Sequence, residues 1–114
     1  DIDAAIEICL ARHAPACVSV SEPPKSPYWM YTLTPAGHMH PLLAMEGVPT
    51  RRQALPAVYA LNGAVYVARV AWFEQSRSFL TEETVAYQMP AARSVDIDTE
   101  LDFRVAELAL QLPA

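Results

Sequence analysis

Thr84-Val-Ala-Tyr-Gln-Met-Pro-Ala-Ala-Arg-Ser-Val-Asp-Ile-Asp-Thr-Glu-Leu-Asp-Phe103 passes from a β-leaning run, through an acidic corner, to a helix start. Thr84–Met89 reads as a strand that Pro90 ends, because proline lacks the amide a ladder needs. Thr99 can cap a helix with Asp102 three residues on, close to the capping-box pattern. Leu101, Val105, Leu108 and Leu112 then recur at three- to four-residue steps. Strand, acidic corner, helix is the alternation of an α/β chain.

Asp96 and Asp98 stand at i and i+2 just before that helix. On an extended segment such residues project to one side, so both carboxylates can reach one hard cation such as Mg²⁺. The positive end of the helix helps keep them ionised. The same pair also reads as ordinary aspartates ahead of a helix, which accept backbone N–H groups and bind nothing. Asp102 is assigned to the cap.

Working outward, Ala64-Val-Tyr-Val-Ala68 reads as a strand and Val70–Arg77 as a short helix carrying Trp72 and Phe73. Residues 1–12 place Ile2, Ala5, Ile6, Cys9 and Leu10 on one helical stripe, closed at His13-Ala-Pro15, and Cys17-Val-Ser-Val-Ser21 follows as a short strand. Three prolines between Glu22 and Pro27 forbid regular structure there. Tyr28–Leu33, the turn residues Thr34-Pro-Ala-Gly37 and His38–Leu43 then predict a hairpin arm of the kind that serves subunit contacts. Residues 44–63 read as a long loop, a length that favours a functional role, and Asn62-Gly63 as a tight turn entering the next strand.

A chain of 114 residues is one domain at most, short for an enzyme that must hold a nucleotide and a second substrate. Its opening at Asp1 rather than Met is expected of a processed product or a piece of a longer one. The net charge of −5, with dispersed Lys and Arg, argues against a nucleic-acid surface. No apolar run approaches the roughly 20 residues a membrane span needs. Cys9 and Cys17 show no metal or redox spacing, and a reduced cytoplasmic setting is expected. His13, His38 and His40 lack a spaced third ligand and read as ordinary histidines.

Arg51-Arg-Gln-Ala-Leu-Pro56, Tyr59, Asn62-Gly-Ala-Val-Tyr66, Ser78-Phe-Leu80 and Ser94–Phe103 stand in a specific order. In that order the chain resembles the acylneuraminate cytidylyltransferase family, also called CMP-sialic acid synthetases. Glu22-Pro-Pro-Lys-Ser-Pro-Tyr-Trp-Met-Tyr31 resembles members acting on sialic or legionaminic acids. The resemblance spans essentially all 114 residues and implies one domain over 1–114, the carboxy-terminal half of a Rossmann-like, three-layer nucleotidyltransferase fold. A β-hairpin dimerisation arm over 22–45 would project from it, giving a homodimer or higher homo-oligomer. Family members begin with a basic, glycine-containing loop that cradles the CTP triphosphate, and nothing here matches it, so the chain is expected to be inactive alone.

The implied reaction transfers CMP from CTP to an acidic nine-carbon sugar, releasing pyrophosphate. The resemblance assigns Asp96 and Asp98 to Mg²⁺ facing the nucleotide phosphates. It places Arg52 near the acidic sugar, Gln53 within reach of its hydroxyls, Asn62 and Tyr66 in the sugar pocket, and Phe79 as an apolar wall for the N-acyl group. Ala60, where many relatives place an arginine, and Leu80, where some have a second phenylalanine, depart from the pattern and leave the sugar open. The alternative is a truncated, non-catalytic module that keeps the arm and dimerises. A related 3-deoxy-octulosonate cytidylyltransferase fits the Arg51–Pro56 and Asn62–Ala64 segments less well.

Overall fold

The computed structural model describes residues 1–43, 47, 51 and 54–113. In chain order the elements are α1 (Ile2–Ala11), β1 (Ala16–Ser21), β2 (Tyr31–Leu33), β3 (Met39–Pro41), β4 (Ala60–Ala68), α2 (Val70–Ser76), β5 (Val85–Gln88) and α3 (Glu100–Ala109). They divide into two compact units, one of Asp1–Ser21 with Ala60–Ala114, the other of Glu22–Tyr59.

In the first unit, β4, β1 and β5 form a sheet in that order. β1 pairs antiparallel with β4 and parallel with β5. Flanked on both sides, β1 is buried from Ala16 to Val20, which is why it reads as a nearly continuous apolar run. α1 covers one face: Ala5 and Cys9 meet Cys17 and Val65, with Ile8, Val67, Val85 and Tyr87 against them. The stripe expected on α1 is corrected by this packing. Ile2, Ile6 and Leu10 are exposed, because the small side chains of Ala5 and Cys9 are the ones that let the helix approach the strands closely. This mixed α/β architecture is compatible with part of a Rossmann-like fold.

α1 stops where His13 takes a left-handed conformation, φ 52°. There the Ala14 amide donates to the Cys9 carbonyl at 3.0 Å and the His13 amide to Leu10 at 3.1 Å, satisfying carbonyls that a helix end leaves open. His13→Gly is expected to stabilise the chain by about 0.5 kcal/mol, since relieved Cβ crowding slightly exceeds the added unfolded-state entropy of glycine. A higher urea midpoint at unchanged slope checks it.

Asn62-Gly63 lies inside β4 and is not a turn ahead of it. Opposite β1, the register shifts between Val18, which faces Tyr66, and Val20, which faces Leu61, so β4 bulges with Gly63 at φ 72°. The helix expected after β4 and the strand expected before Pro90 are both present, as α2 and β5.

In the second unit the hairpin forms but is shorter than expected. Pro27–Trp29 turn as a 3-10 helix, with the Ser26 hydroxyl accepting from the Tyr28 amide at 3.2 Å, and β2 starts only at Tyr31. β2 and β3 pair antiparallel. Thr34 closes the turn: its amide donates to the His38 carbonyl at 2.9 Å and its hydroxyl accepts from the His38 amide at 3.0 Å. Among the described residues, no helix is long and apolar enough to cross a membrane.

Candidate functional site

The acidic segment follows β5 and a 3-10 turn over Ala91–Arg93. Thr99 caps α3, its hydroxyl accepting from the Asp102 amide at 3.1 Å. The Asp102 carboxylate accepts from the Asp98 and Thr99 amides, both at 3.0 Å. This is the expected capping box, extended by one residue. The Asp98 amide, the Thr99 hydroxyl contact and the Thr99 amide hold the Asp102 carboxyl below its usual range, in that order of effect. A lowered carboxylate stabilises the folded chain fully above its unfolded value near 3.8 and loses that contribution as pH falls through the folded value. Asp102→Asn is therefore expected to flatten the acid limb of the stability profile, measured by urea titration across pH.

Asp96 and Asp98 are exposed. The ion pairs among the described residues, Arg93 with Asp1 and Arg104 with Glu100, use neither of them. The alternate residues Val95 and Ile97 instead line a cleft of about 690 Å³ with Pro90, Ala106, Leu110 and Leu112. The apolar and acidic side chains of the segment thus diverge, as period-two alternation requires.

The segment is anchored at its start. The Ser94 hydroxyl donates to the Pro90 carbonyl at 2.8 Å and accepts from Asn62 Nδ2 at 3.1 Å. Asn62 Nδ2 also reaches Met89 Sδ at 3.3 Å. Its Oδ1 accepts from the Ser19 hydroxyl and, at 3.1 Å, from the Ala64 amide. Ser19, fully buried, accepts in turn from the Val65 amide at 2.8 Å. Two side chains thereby satisfy backbone groups that the bulge of β4 would leave unpaired.

Tyr66 and Phe79 come together, ring centroids 5.3 Å apart, and Phe73 of α2 stacks on Phe79 at 4.7 Å. Val65 and Val67 belong to the core under α1, so Tyr66 between them faces the other side of the sheet. The structure thus pairs Tyr66 with Phe79 and ties Asn62 to the acidic segment. Arg52 and Gln53 lie outside the described residues. Ser19 was not singled out in the sequence; its signal was a polar residue in the middle of an apolar strand.

Asp96 and Asp98 offer two carboxylates, hard-oxygen donors with no ion-pair partner among the described residues, which suits Mg²⁺ better than a softer ion. Among the described residues no group of three or more His, Cys, Asp or Glu is placed to hold a metal, so a cation on the two carboxylates would fill the rest of its shell with water or substrate oxygens.

Comparison with known proteins decides the kinship. An N-acylneuraminate cytidylyltransferase of Streptococcus agalactiae serotype V is 33% identical over 102 residues, 90% of this chain and 24% of the relative. The chain is a sequence relative of the acylneuraminate cytidylyltransferases. A CMP-N,N'-diacetyllegionaminic acid synthase of Campylobacter jejuni is 31% identical over 67 residues, 59% of this chain and 28% of the relative. One of Legionella pneumophila is 27% identical over 96 residues, 83% and 41%. No family model matches the chain. The chain spans about a quarter of the length of the streptococcal cytidylyltransferase. The kinship read from the order of the motifs stands on these matches.

Proposed function

We propose that the chain is the carboxy-terminal part of a nucleotidyltransferase that transfers CMP from CTP to a nonulosonic acid of sialic type, releasing pyrophosphate. What supports this most is the kinship together with Asp96 and Asp98, two exposed carboxylates without an ion-pair partner among the described residues, on a segment anchored at both ends. In the reaction, the anomeric hydroxyl of the sugar forms a bond to the α-phosphorus, the bond to the β-phosphate oxygen breaks, and the hydroxyl proton is lost.

Asp96 and Asp98 would hold the cation. When bound, Mg²⁺ supplies charge neutralisation on the phosphates and alignment for in-line displacement. The Asp102 carboxylate takes the Asp98 and Thr99 amides just ahead of α3 and the Thr99 hydroxyl takes the Asp102 amide, so the cap is closed without the carboxylates of Asp96 and Asp98. Tyr66 and Phe79 offer an apolar wall to an N-acyl group, and Arg52 a planar cation to the sugar carboxylate. Gln53 would meet sugar hydroxyls. The sequence holds no basic, glycine-containing loop for the triphosphate, so these 114 residues alone are expected to be inactive. In the whole protein the β2–β3 hairpin would reach a second copy, giving a homodimer in the cytoplasm.

The test is pyrophosphate release from CTP by the full-length protein, offered a sialic acid, a legionaminic acid or 3-deoxy-octulosonate in turn. Release with either nine-carbon acid and not with the octulosonate supports the reading. Release with none overturns it.

A second reading, a non-catalytic association module, is favoured by the apolar surface of α3, where Leu101 and Leu108 are 73% and 64% exposed. Light scattering at micromolar concentration checks it: a monomer counts against it.

A further inference from the structure

We infer that Asn62 is a positioning residue that holds Ser94, and through it the segment carrying Asp96 and Asp98, against the bulge of β4. The inference rests on the reading of those aspartates as cation ligands. The Ala64 amide can only donate, so the atom of Asn62 facing it is the oxygen, and the amide nitrogen is the one that meets Ser94 and Met89. With two bonds accepted and two donated, the side chain has no free group left for a sugar hydroxyl. Its influence on the site runs through Ser94 instead.

Ser94 suits that role. One hydroxyl accepts from Asn62 and donates to the Pro90 carbonyl, so it closes the turn after β5 and fixes that turn to β4 at the same atom. Two residues on stands Asp96, and four on stands Asp98, whose amide is held by Asp102. The segment is pinned at Ser94 and at the cap, and the two carboxylates lie between or at those pins. Loss of the first pin frees the approach of Asp96 while leaving the capping box of α3 intact. Groups that orient ligands from behind commonly change metal affinity by about ten- to a hundredfold when removed.

The test uses the full chain and its Ser94→Ala, Ser94→Thr and Asp96→Asn variants, with two readouts. Without metal, amide hydrogen exchange across residues 94–97 is expected to speed up about tenfold in Ser94→Ala and to stay near parent in Ser94→Thr, which keeps the hydroxyl. With Mn²⁺ alone as probe, followed by its electron paramagnetic resonance signal, Ser94→Ala is expected to bind about tenfold more weakly, again restored in Ser94→Thr. Unchanged exchange in Ser94→Ala, or Mn²⁺ affinity within about twofold of parent, overturns the positioning role. If Asp96→Asn still loses Mn²⁺ in that case, the cation reading stands without it. A parent chain that binds no Mn²⁺, or an Asp96→Asn variant that binds it as parent does, overturns the cation reading and the positioning role with it.

Discussion

Replacing Asp96 by asparagine in the full-length protein is expected to lower CMP-sugar formation about a hundredfold or more, equivalent to roughly 3 kcal/mol of transition-state stabilisation. Asparagine keeps the shape and one oxygen but removes the charge that makes a hard-cation ligand. Because Asp96 is exposed and without an ion-pair partner among the described residues, the urea midpoint is expected to stay at its parent value. Asp98→Asn is expected to behave alike, and the double variant to fall little further, since two ligands of one cation act as a unit. Raised Mg²⁺ is expected to recover part of the loss in either single variant. Steady-state rates across a Mg²⁺ series, beside urea melts of the same preparations, check this. Full activity in Asp96→Asn contradicts the assignment.

The second large effect concerns stability. Asn62→Ala is expected to cost about 2–4 kcal/mol, because it strips a partner from the Ala64 amide, from the Ser19 hydroxyl proton and from Ser94 at once. Ser19 is fully buried, so water cannot take the missing place without disturbing β1. Equilibrium urea unfolding of parent and variant measures the difference. A cost under about 0.5 kcal/mol, the range of ordinary surface substitutions, contradicts the account of the bulge.

Local chemistry was legible wherever the sequence speaks over short range. Thr99 and Asp102 form the cap their spacing predicts, and Thr34 and Gly37 make the hairpin turn their residue types predict. What depends on distant packing was not. The apolar stripe of α1 is wider than the line it buries, since the choice among Ile2, Ala5, Ile6, Cys9 and Leu10 is made by the sheet beneath, and the small residues win. Asn62-Gly63 carries the composition of a turn, yet a buried hydroxyl on the neighbouring strand β1, that of Ser19, lets the same pair sit in a bulge inside β4. Leu101 and Leu108 have the periodicity of a packed helix but are exposed in this chain. At the site, the acidic pair and the aromatic pair were legible as residue types. The bond from Asn62 to Ser94, which joins two of the motifs, depends on folding across 32 residues and has no local signature.

Transfer of CMP to the sugar is read most plainly by ³¹P nuclear magnetic resonance of CTP incubated with the full-length protein. The prediction is conversion to pyrophosphate and a single phosphodiester signal, only when an acidic nine-carbon sugar and Mg²⁺ are both present. CTP left intact under those conditions, or hydrolysed without the sugar, contradicts it.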